Sequence, residues 1–447
     1  MKYTNSNTVR AIYTEPEDNP YLAALPELMP KDIFLQLLQS LPVVPPNLLS
    51  LSGEERRRLL SGLVNLFLPL DYMYTIYDLF YRAIQTTYHT KTVLDSIRQI
   101  GVVRQSGQTS FGTQAQSGSI LGIPGVGKTS TVRRCLAQLP QVIEHREFRG
   151  QPFFKKQVLY ICVECPSDCS VKTLAYNIIA AVDRAIGSDY FRVISHQSRI
   201  SASALTTQLK IICLNHAIGL IVVDEIQNAI STAEKTRRIK PLVTFLLELL
   251  NDTCTGVYFV GTLEADEVFG QHEHLKRRTR GLRLLPFRPD GIYRRFLETV
   301  WKYQFTLHPS KLTDQIVNKI YDHSGGVPAY IIQIITEAQA QAIIGGEDLV
   351  DAKMVQKAIN MLCISLPKSY PAGVSLSDFP VTVTEDQPQM IPDIPPEPVP
   401  RMYAVQRGRR AKAREQTDLI ELWKQQKQPD GICKALISLD IGEVMHL

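Results

Sequence analysis

Residues 118–135 read GSILGIPGVGKTSTVRRC, and no other stretch of the chain restricts its fold so tightly. Gly122, four residues, then Gly127-Lys128-Thr129 is the spacing of a loop that closes around phosphates. Its glycines let successive backbone N–H groups turn toward one anion, and the helix that follows aims its free N–H groups at the same point. Such a loop needs a buried strand before it and a helix after it. "SILGI" is apolar and of strand length, and "STVRRCLAQL" continues with helical spacing. The chain is therefore expected to contain a wound α/β unit. Its candidate phosphate-binding residues are Gly122, Ile123, Pro124, Gly125, Val126, Gly127, Lys128, Thr129 and Ser130.

A unit of this kind needs more strands. "QVLYICVEC", "GLIVVDE" and "GVYFVGT" are apolar runs of strand length, as parallel strands covered on both faces are. Between them lie the helical patterns "SVKTLAYNIIAAVDRAIG" and "KPLVTFLLELLND". The fold class that results is α/β, a parallel sheet flanked by helices. Leu220 to Val223 run into Asp224 and Glu225. Asp224 is placed to hold a magnesium ion together with Thr129, and Glu225, one residue on, to polarise an attacking water. Lys128 would reach the outer phosphates. Thr262 ends the next strand, where a hydroxyl either orients that water or simply terminates the strand. Beyond it Arg277, Arg278, Arg280 and Arg283 crowd one turn. They stand at the distance where ring-forming ATPases place a finger that offsets transition-state charge on a neighbouring subunit's γ-phosphate, so Arg277 or Arg278 is the candidate by that resemblance, the alternative being a solvated basic turn.

The rest of the chain divides around this unit. Residues 1–100 read as a helical region. "PKDIFLQLLQSLP" has three- and four-residue apolar steps, and Ser52 with Glu54 and Glu55 opens "SGEERRRLLSGLVNLFL" as a capped helix. "DYMYTIYDLFYRAI" concentrates Tyr72, Tyr74, Tyr77, Phe80 and Tyr81, as core packing or a partner surface would. The α/β core is expected over 101–290, with 101–118 as a Gly-, Ser- and Gln-rich connector, and a helical lid over 291–370. Residues 371–400 hold eight prolines, five acids and no Lys or Arg, which predicts an extended linker. Residues 401–447 open with Arg401, Arg407, Arg409, Arg410, Lys412 and Arg414 and continue into "TDLIELWKQQ", a basic tail for partner docking.

Composition closes off several classes. The 44% apolar and 21% charged residues are those of a globular chain, and no run is long and apolar enough to span a membrane. "MKYTNSNTVRAIYTEPEDNPY" has no apolar signal region, so a cytoplasmic protein with reduced thiols is expected. A net charge of +5 does not by itself announce nucleic acid. Cys162, Cys165 and Cys169 are one ligand short of a zinc site, and the alternate histidines of "HEH" at 272–274 do not share a helix face.

The order of core, arginine cluster and helical lid resembles an AAA+ ATPase. The lid departs from that pattern, because "GGVPAY" stands where many such proteins carry an arginine in a Gly-x-x-Arg turn. A narrower resemblance lies in "DNPYLAALPELM", in "SGEERRRLLSGLVNLFLPLD" and in "LPQVIEHREFRGQPFFKKQVLYICVECPSDCSVKTLAYNIIAAVDRAIGSDY". With the DEIQ form of the acidic strand and the "VGT" that follows, these are similar to the TnsC/TniB family of transposon regulators, over about residues 15–370. The resemblance implies ATP and magnesium as cofactors. It implies assembly into homo-oligomeric rings or filaments on the backbone of double-stranded DNA. The partners would be transposase subunits and a target selector of the TniQ/TnsD type, either a site-specific DNA-binding protein or part of an RNA-guided complex. It also carries DNA contacts onto Lys172 and Thr173 of "SDCSVKTLAYN", where a helix start suits phosphate. The alternative is a signalling or defence NTPase that binds only proteins. A translocating motor ranks last, for want of a second ATPase core or a helicase or nuclease signature.

Overall fold

Six strands form one parallel sheet in which the phosphate-loop strand lies near the middle. They are β2 (Ser117–Gly122), β5 (Tyr160–Glu164), β6 (Leu220–Asp224), β7 (Gly256–Gly261), β8 (Gly281–Leu285) and β9 (Val374–Ser375), in the order β5-β6-β7-β2-β8-β9. Every residue of β6 and β7 is buried, which is why both read as unbroken apolar runs. β7 lies between β2 and β6, so the ends of these three strands share one edge. That edge, beyond the carboxyl ends of parallel strands, is where such sheets bind ligands. The computed structural model describes residues 8–14, 17–107, 115–168, 170–196, 200–228, 239–270, 278–366 and 372–383. These belong to the unit Met1–Pro392, and the tail expected at 401–447 lies outside the described residues.

A second, three-stranded sheet runs β1-β3-β4, from β1 (Thr8–Arg10), β3 (Val142–Phe148) and β4 (Gln151–Val158). It corrects the expectation that "QVLYICVEC" is one strand. The run is shared between the end of β4 and all of β5. At the break, Val158 N–H donates to His216 and Leu159 N–H to Gln141, so the chain changes sheets without losing a backbone hydrogen bond.

The N-terminal region forms α1 (Pro20–Ala23), α2 (Lys31–Leu38), α3 (Gly53–Leu59), α4 (Ser61–Val64), α5 (Asp71–Thr90) and α6 (Val93–Ser106). The Ser52 hydroxyl accepts from Glu55 N–H while the Glu55 carboxylate accepts from Ser52 N–H, a complete capping box. The tyrosine-rich segment is core. Tyr72, Tyr77, Phe80, Tyr81 and Tyr88 of α5 are buried, and Phe80 meets Tyr258 of β7 edge-on at 5.3 Å. The end of α5 is bonded into the sheet, with Thr87 Oγ1 donating to Gly219 O at 2.9 Å and Tyr88 OH to Val158 O at 3.3 Å. The connector expected from 101 begins later, because α6 continues to Ser106 and Gly107 ends it at φ +71°.

In the core, α7 (Lys128–Ala137) follows the phosphate loop, and α8 (Val171–Ile186), α9 (Tyr190–Ser195) and α10 (Ala202–Asn215) follow β5. The helices Gly291–Trp301, Asp314–Ser324, Pro328–Gly345 and Ala352–Leu362 form the lid. The Arg56 guanidinium of α3 makes a two-pronged ion pair with Asp348 at the lid's far end and also donates to Phe305 O at 3.3 Å. The expected linker is corrected at its start. β9 extends the main sheet beside β8, Leu376 is fully buried, and Thr382 N–H donates to Pro69 O at 3.1 Å. Residues 384–400 lie outside the described residues.

Candidate functional site

The phosphate loop turns between Gly122 of β2 and Lys128, the first residue of α7. Gly125 and Gly127 hold φ of +84° and +91°, a region that costs a side-chain-bearing residue about 1–3 kcal/mol. A Cβ at Gly125 would also stand 2.8 Å from Val327 of the lid. The loop thus meets the lid directly, and Ala329 N–H donates to Gly125 O at 3.2 Å. Ile123 and Val126 are buried and anchor the loop, while Pro124 and Ser130 are exposed. Lys128 is 8% exposed and donates to Ile123 O at 2.9 Å. Burial pushes its ammonium pKa down to about 8, against the opposing pull of Glu225 and Asp224. A phosphate bound here would add to that counter-charge.

Asp224 closes β6 and is 1% exposed. Its Oδ1 accepts from Thr129 Oγ1 at 3.3 Å and from Glu225 N–H at 2.9 Å. Its Oδ2 is buried with no hydrogen-bond partner among the described residues. Burial raises the Asp224 pKa, partly offset by the hydrogen bonds from Glu225 and Thr129. A buried carboxylate oxygen without a partner, beside a threonine hydroxyl, fits a hard divalent cation that takes oxygen ligands. Thr129 and Asp224 are therefore suited to magnesium.

Glu225 sits at φ +55°, a left-handed conformation unusual for a residue with a side chain. The turn is held by Ile226 N–H on Val260 O at 3.0 Å and Asn228 N–H on Glu225 O at 2.9 Å. Thr262, at the tip of β7, donates its N–H to Gln227 Oε1 at 3.1 Å, and its own hydroxyl oxygen is buried without a partner among the described residues. Phosphate loop, acid pair and Thr262 thus converge on one edge of the sheet. Gln227 stands among them without having been assigned a role from the sequence. The available signal was the carboxamide two positions after the acid in DEIQ.

The other expected site residues are engaged in contacts of their own. Arg278 donates to Asn251 Oδ1 at 2.9 Å, and Arg283, inside β8, is tied to Asp266. The guanidinium of Arg283 is thus paired within the subunit, as that of Arg278 is bonded to Asn251. Arg277, Cys169 and the histidines at 272–274 lie outside the described residues. Lys172 and Thr173 occupy the first turn of α8, with Ser170 as its cap. Lys172 Nζ donates to Ile200 O at 3.0 Å and Thr173 Oγ1 to Asp168 Oδ2 at 2.8 Å. Both side chains would have to exchange these partners to reach a phosphate.

A parallel sheet with this loop, acid pair and helical lid is the AAA+ P-loop fold. Residues 112–269 match the family described as "AAA domain", so the chain carries an AAA-type ATPase domain. No curated protein matches the chain. Among solved structures it is similar to the Aeropyrum pernix ORC2 protein in its ADP form, at 15% identity over 61% of this chain and 68% of that one, with a TM-score of 0.38. It is similar to the Aeropyrum pernix ORC1 protein in complex with DNA, at 17% identity over 60% and 64%, TM-score 0.39. It is also similar to Drosophila ORC bound to DNA, at 15% identity over 79% and 69%, TM-score 0.38. No helix among the described residues is long and apolar enough to cross a membrane.

Proposed function

We propose that this chain hydrolyses ATP and uses the nucleotide to assemble on duplex DNA, where it links a target selector to a transposase. The hydrolysis half rests on one observation, the convergence of Lys128, Thr129, Asp224 and Glu225 at the ends of β2 and β6. Lys128 and the loop N–H groups bind the phosphates and orient the terminal one. Magnesium, held by Thr129 and Asp224, would supply neutralisation of phosphate charge. Glu225 orders the attacking water and accepts its proton, Thr262 helps to orient that water, and Arg277 or Arg278 serves the site of the next subunit. The transposition half rests on the TnsC/TniB-like patterns along residues 15–370. Lys172 and Thr173 are proposed as DNA-backbone contacts, and the basic segment from Arg401 as the element that engages the transposase.

The test is Glu225→Gln, which keeps the shape and removes the base. ATP affinity should persist, turnover should fall by roughly a hundredfold or more, and assemblies on DNA should outlive those of the unaltered protein. Wild-type turnover in Glu225→Gln would remove Glu225 from the chemistry. An NTPase that binds only proteins predicts no stimulation of hydrolysis by duplex DNA and no DNA-bound rings or filaments with a non-hydrolysable ATP analogue. Their absence would overturn the DNA half.

A further inference from the structure

We infer that Gln227 is the positioning residue of this site, clamping the Glu225 carboxylate to the tip of β7. The inference rests on the proposed reading of Glu225 as the base and adds the group that aims it. The carboxamide is used at both ends. Its Oε1 accepts from Thr262 N–H at 3.1 Å, and its Nε2 donates to Glu225 Oε2. The assignment of the two ends is forced. A backbone N–H can only donate, so the oxygen faces Thr262 and the nitrogen must face the carboxylate.

Gly261 leaves room for this placement. A Cβ there would lie 2.5 Å from Gln227 Oε1 and 2.7 Å from Ile226 Cγ2. The glycine of "VGT" therefore leaves the space that the carboxamide of DEIQ fills. The backbone at Glu225 is in a left-handed conformation, and the bond from Gln227 fixes the direction of its side chain. One carboxylate oxygen bonded to Gln227 leaves the other to accept from water. The charged groups facing Glu225 are Asp224 beside it and Lys128 on α7, neither of which replaces that directional bond. Because the second end of the clamp is the Thr262 N–H, the aim of the base is set by the position of β7, the strand between the phosphate loop and the acids.

The experiment uses the full chain with ATP, magnesium and duplex DNA, and reads kcat, KM and the affinity for a fluorescent ATP analogue. Gln227→Met removes both bonds at nearly constant length. Gln227→Glu keeps an oxygen for Thr262 N–H but replaces the donor to Glu225 with a repelling carboxylate. Both should lower kcat roughly tenfold to a hundredfold, the cost of misplacing a reacting group by about 1 Å, with KM and nucleotide affinity within about twofold. In a Glu225→Gln background, Gln227→Met should cause no further loss. Wild-type kcat in Gln227→Glu would reduce the residue to a structural support for Thr262, and a full additive loss in the double variant would place its action elsewhere. Either result overturns the clamp. If Gln227→Met does not fold, Gln227→Glu and its own combination with Glu225→Gln carry the test. The two readings fail separately: an active Glu225→Gln refutes the base, whereas an inactive Glu225→Gln beside fully active Gln227 variants refutes only the clamp.

Discussion

Replacing Lys91 with methionine should remove a pH-dependent cost from the folded state. Lys91 follows α5, and its side chain is fully buried. Its ammonium donates to Ile218 O at 2.8 Å and to Thr255 Oγ1 at 3.0 Å, with no carboxylate among the described residues in ion-pair contact with it. Burial lowers its pKa from 10.5 to about 8. At about 1.36 kcal/mol per pH unit, that gap makes the confined cation cost on the order of 3 kcal/mol at neutral pH. The folded state releases this proton near pH 8, while the unfolded chain keeps it until 10.5. Between those values the unfolded state binds more protons, so stability rises with pH, and about 2 kcal/mol of the cost should be recovered between pH 7 and 9.5. Lys128 titrates in the same window, so only the difference between the two proteins isolates Lys91. The substitution leaves few orphans, because Thr255 Oγ1 also bonds Ile218 O at 3.1 Å and Thr253 at 2.8 Å. Urea melts of both proteins at the two pH values should show Lys91→Met losing its relative advantage by about 2 kcal/mol as the pH rises. A difference that stays constant, or that moves the other way, refutes the picture of a desolvated ammonium.

Arg56→Ala strips the buried Asp348 of its partner and frees Phe305 O, so stability should fall by about 3 kcal/mol, read as a lower melting temperature with nucleotide affinity retained. Lys172→Ala should flatten the dependence of log affinity for duplex DNA on log salt by about 0.9 while leaving nucleotide affinity alone. An unchanged slope takes Lys172 out of the DNA interface.

The parts of this protein that were legible from sequence are those whose chemistry is local. Gly122 to Ser130 announce a phosphate loop because positive φ, free N–H groups and a cation must follow one another along a few residues of backbone. Leu220 to Glu225 announce their position because a strand buried on both faces has to be apolar until it ends at the acids. Ser52 and Glu55 announce a helix start for the same reason. Periodicity could not divide "QVLYICVEC", since Val158 at the end of β4 is as apolar as Leu159 and the start of β5, and only hydrogen bonds to His216 and Gln141 mark the break. Nor could composition place Val374 in the sheet, because a two-residue strand among prolines takes its stability from β8 and not from its own pattern. The pairing of Gln227 with Thr262, 35 residues apart, and the room left for it by Gly261, exist only once β6 and β7 lie side by side. Sequence determined which residues form the glycine-rich loop and where the acids stand, since covalent neighbours settle both. Tertiary structure alone decided what aims Glu225 and what surrounds Lys91, since those partners are brought together by packing between segments that no local preference connects.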